Sequence, residues 1–201
     1  MSYLLYYKTR IQIENVLWSQ GFVLFKGQSG KPATSNDQTR DAGTASSTGS
    51  AVVGDKYIFS EGKLTVQVYK LSLTDTRAID AIANSANSQL MHGGGVAYYI
   101  SKEAGNTTDE ECKRYVTKHG GVKVTKNYVS GPGDLKKKGV KGIIHAVGPQ
   151  WWDYKDKYDQ CARDLHETIV NVLAAARDKK WTSVALPAIS SGKCKFCVSM
   201  T

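Results

Sequence analysis

A chain of 201 residues with 41% hydrophobic content can bury one substantial core and is too short for two full domains, so one domain with an appendage is expected. Twenty-seven Lys and Arg against eighteen Asp and Glu leave a formal charge of +9, which favours anionic partners such as nucleotides, nucleic acid or acidic polymers, although the same charge also serves plain solubility. The apolar opening Met1 to Tyr7 is interrupted by Lys8, Arg10 and Glu14 before a signal-peptide core or a membrane span is complete, so an intracellular chain, nuclear or cytoplasmic and without a membrane partner, is expected.

Residues 3 to 25 alternate apolar and polar in places, as in Ile11-Gln12-Ile13 and Phe22-Val23-Leu24-Phe25, and suggest one or two strands in an N-terminal segment, 1–25, of unassigned role. From 26 to 60 the composition turns to Gly, Ser, Thr, Ala and charged residues. Such a stretch buries too little apolar surface to offset its ordering entropy, and it is predicted to be a flexible linker before a folded domain at 61–201.

In Lys63 to Leu71 the apolar Leu64, Val66 and Val68 alternate with Thr65 and Gln67, the pattern of a half-buried strand. The short apolar run Ile79 to Ala83 fits a strand covered on both faces. It opens into the polar loop Asn84 to Gly95, in which Gly93, Gly94 and Gly95 let the backbone approach a ligand closely. The helical segment Val96 to Ala104 then begins with unpaired N–H groups suited to an anion. A flexible surface turn is the alternative reading of these glycines.

A second helix is predicted at Asp109 to His119, with Thr108 as its N-cap, followed by a strand within Val122 to Val129. Lys136-Lys137-Lys138, flanked by Gly133 and Gly139, reads as a solvated turn or as a contact for nucleic acid. Gly142 to Val147 is a second buried-type strand closed by Gly148-Pro149, and His145 inside it reads as a core histidine. Asp159 to Asp178 carries Cys161, Leu165, Ile169, Val172, Leu173 and Ala176 at the spacing of one apolar helix face, with His166 outward. Thr182 to Pro187 is a third buried strand, and it opens into the small-residue loop Ala188 to Lys193. Strands alternating with helices describe an α/β fold, a three-layer α/β/α sheet whose ligands bind outside the carboxyl ends of the strands.

Cys112, Cys161, Cys194 and Cys197 are unevenly spaced and imply free thiols in a reducing compartment. Cys194 and Cys197 have the spacing of half a zinc site, but no second close pair of Cys or His completes it, so neither a metal nor a cofactor is expected.

Four segments in order, Asp80 to Asn87, His92 to Ala97, Ile143 to Trp151 and Leu186 to Gly192, resemble those of macrodomains, the ADP-ribose-binding modules. The likeness is strongest to macrodomains joined to ADP-ribosyltransferases of the poly(ADP-ribose) polymerase family, and it covers 63 to 197. The resemblance implies a diphosphate held between a first loop with Asn84, His92, Gly93, Gly94, Gly95 and Val96 and a second loop with Ala188, Ser190, Ser191, Gly192, Lys193 and Cys194. It also implies that Asn87 contacts the distal ribose, that Gly148 and Pro149 lie near the cleft, and that Ser72 and Leu73 stand at the adenine end, with Phe196 a nearby aromatic.

The departures shape the functional expectation. Ser72 stands where family members usually carry an Asp that accepts from adenine, and Asp75 follows three residues later. A neutral acceptor is weaker than a carboxylate by about 1 kcal/mol. Cys194 replaces the usual aromatic against the distal ribose. An end at Thr201 falls in the first turn of the family's next helix, which predicts a C-terminally incomplete module lacking the last helix and strand, with an exposed edge inviting association.

Binding of ADP-ribose, free or on mono-ADP-ribosylated protein, is therefore the first expectation. Hydrolysis of mono-ADP-ribose esters on Asp or Glu, with Asn87 as the tentative catalytic residue, is the second; Ala97 stands where one branch of the family has an acid, so no general acid or base is evident. Binding of nucleic acid or poly(ADP-ribose) by the basic surface is the third.

Overall fold

The computed structural model describes residues 22–27, 48–53, 56–61, 64–68, 72–75, 78–155 and 157–190. Eight strands, β1 Phe22–Gly27, β2 Thr48–Val53, β3 Lys56–Glu61, β4 Leu64–Val68, β5 Ala81–Ser85, β6 Asn127–Ser130, β7 Gly142–Ala146 and β8 Ser183–Pro187, form one sheet in the order β2-β3-β4-β1-β8-β5-β7-β6. β5 runs parallel to β7 and to β8, whereas the remaining neighbours are antiparallel. The sheet is thus mixed, with helices on both faces.

Strands β2 and β3 fall inside the stretch 26–60 whose composition predicts a linker, and β1 enters the sheet between β4 and β8. Ladder hydrogen bonds are made by backbone groups, so the small-residue strand β2 can add to the edge without a large apolar side chain, while β3 carries the apolar run Tyr57-Ile58-Phe59. The sheet therefore crosses the division drawn at residue 61. The predicted alternation in β4 holds: Val66 and Val68 are buried while Thr65 and Gln67 are half-buried.

The helices are α1 Gly95–Ala104, α2 Asn106–His119, the short α3 Trp151–Tyr154 and α4 Tyr158–Asp178, with 3-10 turns at Leu73–Asp75 and Gly133–Lys138. Gly105, at φ 78, breaks α1 from α2. That break starts α2 three residues earlier than expected, so Thr108 is a buried residue of the first turns rather than the cap. The strand expected across 122–129 is confined to β6, because Thr125 adopts φ 71 within a turn.

Both faces of β5 are covered, as its apolar run requires. Ile82 packs with Ile100, Ala104, Ile143 and Leu135 on the α1 side. Ala81 and Ala83 pack with Ile144, Val172, Ala176 and Leu186 on the α4 side. Ile82, Ile143 and Ile144 are each 0% exposed, and each contributes roughly 2 kcal/mol of burial free energy relative to exposure. In α4 the expected stripe is present through Cys161, Val172 and Ala176, with Leu165 and Ile169 packed beside it, and His166 faces outward.

Asp80 clasps the amino ends of the three parallel strands. Its carboxylate accepts from Lys141 Nζ at 2.8 Å, from Thr182 N–H at 2.6 Å and from the Thr182 hydroxyl at 3.0 Å. Burial pushes the carboxyl pKa up, but the bonds from Lys141 and Thr182 outweigh it and hold the value below its ordinary 3.8. A carboxyl lowered on folding stabilises above that range and loses its contribution as the pH falls through the folded value. Asp80→Asn is expected to cost about 2 kcal/mol of stability at neutral pH, read from the urea midpoint. The deficit relative to the wild-type chain should shrink below pH 4.

Candidate ligand-binding site

Three parallel strands deliver their carboxyl ends to one edge of the molecule. The register Ser85↔Ala146 in β5 and β7, and Ile82↔Ala185 in β5 and β8, aligns the loops that leave Ser85, Ala146 and Pro187. Ala86 N–H donates to the carbonyl of Ala146 at 2.9 Å, which carries the alignment one residue beyond the strands.

In the first loop, the Asn87 side chain is turned back on the loop itself. Its Oδ1 accepts from Met91 N–H at 2.9 Å and its Nδ2 donates to the Met91 carbonyl at 3.3 Å. This internal clasp, with Leu90 N–H bonded to the Asn87 carbonyl at 3.0 Å, presents Met91 outward at 64% exposure. Gly93, Gly94 and Gly95 follow on the exposed surface. A Cβ built on any of the three would meet nothing within 4 Å, and Gly95 has φ +60. No side chain caps the first turn of α1, so its N–H groups and the positive end of its dipole are available to an anion.

His92, predicted among the ligand contacts, points inward. Its Nδ1–H donates to Asp109 Oδ1 at 2.8 Å, its side chain is 7% exposed, and its Nε2 is buried without a partner. Asp109 also accepts from the Ser101 hydroxyl at 2.7 Å, tying the loop to both α1 and α2. Thus His92 offers the outer surface its backbone, not its imidazole.

Asn84 is fully buried and donates through Nδ2 to His145 Nδ1 at 3.1 Å. With Nδ1 accepting, His145 carries its proton on Nε2 and donates to Ser130 Oγ at 2.9 Å, and the Ser130 hydroxyl donates to the Gly131 carbonyl at 3.0 Å. Burial, aided by the neighbouring His92, pushes the His145 pKa down to about 3 against the pull of Asp109. The imidazole is therefore neutral and structural, as its place in an apolar strand predicts. Asn84 likewise lies under the loop rather than on its open face.

The second loop begins beside Gly148. Pro149 is buried, and a Cβ at Gly148 would stand 2.4 Å from Ser190 Oγ and 2.6 Å from Ile189 Cγ2. Ser190 has φ 66 and a buried hydroxyl without a partner, while Ala188 is half-buried. Ser191, Gly192, Lys193, Cys194 and Phe196 lie outside the described residues.

Ser72 is exposed and shares a hydrogen bond of 3.1 Å with Thr74 Oγ1, and its carbonyl accepts from Asp75 N–H at 3.0 Å. Leu73 is buried in the α1 side of the core. Of the lysine run, Lys137 pairs with Asp134 at 2.8 Å and Lys138 with Glu103 at 3.0 Å, while Lys138 also donates to the Thr74 carbonyl. These pairs use two of the three charges within the protein.

Sequence reasoning missed Asp109 and Ser101 as supports of the glycine loop, since no short-range pattern links them to His92. Gly148, expected near the cleft with Pro149, is also the point against which Ser190 and Ile189 pack.

A family model for macro domains matches residues 83–200. Among curated proteins, the chain is similar to an uncharacterized protein of Pyrobaculum aerophilum, 41% identical over 134 residues, covering 67% of this chain and 68% of that one. It is also similar to a protein of Escherichia fergusonii named O-acetyl-ADP-ribose deacetylase, 37% identical over 115 residues, covering 57% of this chain and 62% of that one. Among solved structures, a macrodomain of Oceanobacillus iheyensis with ADP aligns with TM-score 0.58 at 24% identity, over 75% of this chain and 73% of that chain, a likeness of fold.

The tight Gly148 contact makes a specific expectation. Gly148→Ala should push Ser190 and Ile189 outward and cost about 1–3 kcal/mol of stability. The measurement is the thermal or urea midpoint, and an unchanged midpoint would mean that the two loops are not packed as described.

Proposed function

Because this chain belongs to the macro domain family, whose model matches residues 83–200, we propose that it binds ADP-ribose, free or as mono-ADP-ribosyl groups on protein, through a diphosphate clamp of two loops. The observation that carries this reading is the exposed Gly93–Gly95 stretch leading into the uncapped start of α1, together with the buried, unpartnered Ser190 hydroxyl after β8. Backbone N–H groups at a helix start hold a diphosphate without a metal. In this reading Val96 closes the first half of the clamp, and Ser190 through Cys194 supply the second. Asn87 meets the distal ribose once its clasp on Met91 opens, and Ser72 and Leu73 border the adenine, with Phe196 nearby.

A second reading is hydrolysis of an ester on the distal ribose, favoured by the relative named O-acetyl-ADP-ribose deacetylase. The segments 86–95, 147–150 and 188–190 contain no carboxylate, so the chain itself would orient a water through Asn87 and backbone groups rather than deprotonate it with an acid or base side chain.

Titration calorimetry with ADP-ribose tests the binding. Gly94 has φ 174 and open space around its Cβ position, and Asp is a favoured N-cap residue. Gly94→Asp should therefore keep the melting temperature while weakening ADP-ribose binding at least tenfold, about 1.4 kcal/mol, by charge repulsion. Absence of heat at millimolar ligand would overturn the proposal. Incubation with mono-ADP-ribosylated protein separates the two readings: loss of label that disappears in Asn87→Ala supports hydrolysis, and retention over hours leaves binding alone.

A further inference from the structure

Beneath the glycine loop, on the side away from the proposed ligand, three metal-ligating side chains converge from three elements. We propose that His92, Cys112 and His145 form a buried zinc(II) site that ties the loop to α2 and β7. Their ligating atoms lie within 4.8 Å of one another. Cys112 Sγ is 3.5 Å from His145 Nε2, roughly the S-to-N edge of a tetrahedron whose bonds are about 2.0–2.3 Å long. The widest separation must close by about 1 Å to reach the same geometry, a movement that the exposed, glycine-rich segment after His92 can absorb.

Two orphaned atoms point to the ion independently of that spacing. His92 Nε2 is buried without a partner, while Nδ1 is held by Asp109 at 2.8 Å. This is the carboxylate–histidine arrangement that fixes a metal-binding tautomer and leaves the other nitrogen's lone pair inward. Asn84 Oδ1 is the second orphan. When His145 ligates through Nε2, its proton moves to Nδ1, and rotation of the Asn84 amide brings Oδ1 to accept it.

The charges and protons also balance. A Zn–S bond forms as the Cys112 S–H bond breaks, the thiol proton leaves to solvent, and the His145 proton only changes nitrogen. Zinc at +2, the Cys112 thiolate and the Asp109 carboxylate sum to zero, so no net charge is buried. Ligation through Nε2 displaces the hydrogen bond between that nitrogen and the Ser130 hydroxyl, 2.9 Å away, and leaves the hydroxyl oxygen beside the fourth position. The ligands are far apart along the chain, so no short motif announces them, whereas the Cys194–Cys197 pair attracts the eye first.

Cobalt(II), a spectroscopic stand-in for zinc, tests the site in the full reduced chain carrying Cys194→Ser and Cys197→Ser. The expected result is one bound cobalt per chain, with thiolate-to-cobalt charge-transfer absorption and tetrahedral d–d bands that zinc abolishes by competition. Cys112→Ser should lose the charge-transfer band, and Cys161→Ser should keep it. If Cys112→Ser does not fold, His92→Gln decides through an expected loss of at least tenfold in cobalt affinity. A folded chain without the band in excess cobalt, or a band and affinity that survive these ligand substitutions, would overturn the proposal.

Discussion

The parallel register of β5 between β7 and β8 is the constraint on which the rest depends. It sets the ends at Ser85, Ala146 and Pro187 side by side, and both loops of the proposed diphosphate clamp leave from these ends. Parallel strands hold this alignment only when both faces are buried, and the division of Ile82 and Ile143 toward α1 and of Ala83 and Ile144 toward α4 provides that cover. The Asp80 clasp fixes the opposite ends. Shape at the ligand edge is thus inherited from packing at the centre.

On this base the glycine loop combines an open outer side with a fastened inner one. Outside, Gly93 to Gly95 offer backbone without side chains. Inside, His92 is held by Asp109, and Asn84 by His145, in surroundings that keep His145 neutral and push the Cys112 thiol up to about 12 through burial and the charges of Asp109 and Glu111. An anion meeting the first turn of α1 encounters N–H groups whose positions are already set, so little ordering cost opposes binding. In the proposed mode the glycines offer backbone to the diphosphate, and the side chains of His92 and Asn84 hold that backbone in place.

Much of the fold was legible because its signals are local. The apolar run ending at Ala83, the glycines after His92 and the stripe along α4 each state a period or a conformational need within a few residues. The layered α/β/α sheet and the burial of His145 followed from them. The strand β2 was not legible, since backbone pairing at an edge leaves little mark on composition, whereas the apolar run Tyr57-Ile58-Phe59 of β3 was hidden among the small and polar residues around it. Thr108 misled because a good cap residue also serves inside a helix, and Gly105 set the true boundary. The inward turn of His92 was hidden for a different reason: its partner Asp109 lies on another helix, and only the packing of α1 against α2 brings them together. Of the candidate contacts, the glycines were readable as backbone features, whereas the orientation of Asn87, clasped on Met91, depends on a loop conformation that no spacing encodes.

The central claim is that the start of α1 and the loop after β8 grip a diphosphate with backbone groups. Amide chemical shifts of the nitrogen-15-labelled chain, followed during titration with ADP-ribose, test it most directly. The expected result is that the amides of Gly93, Gly94, Gly95, Val96 and Ser190 move most and saturate together. Shifts centred on the turn at Lys136 to Lys138, with the glycine amides unmoved, would contradict the account.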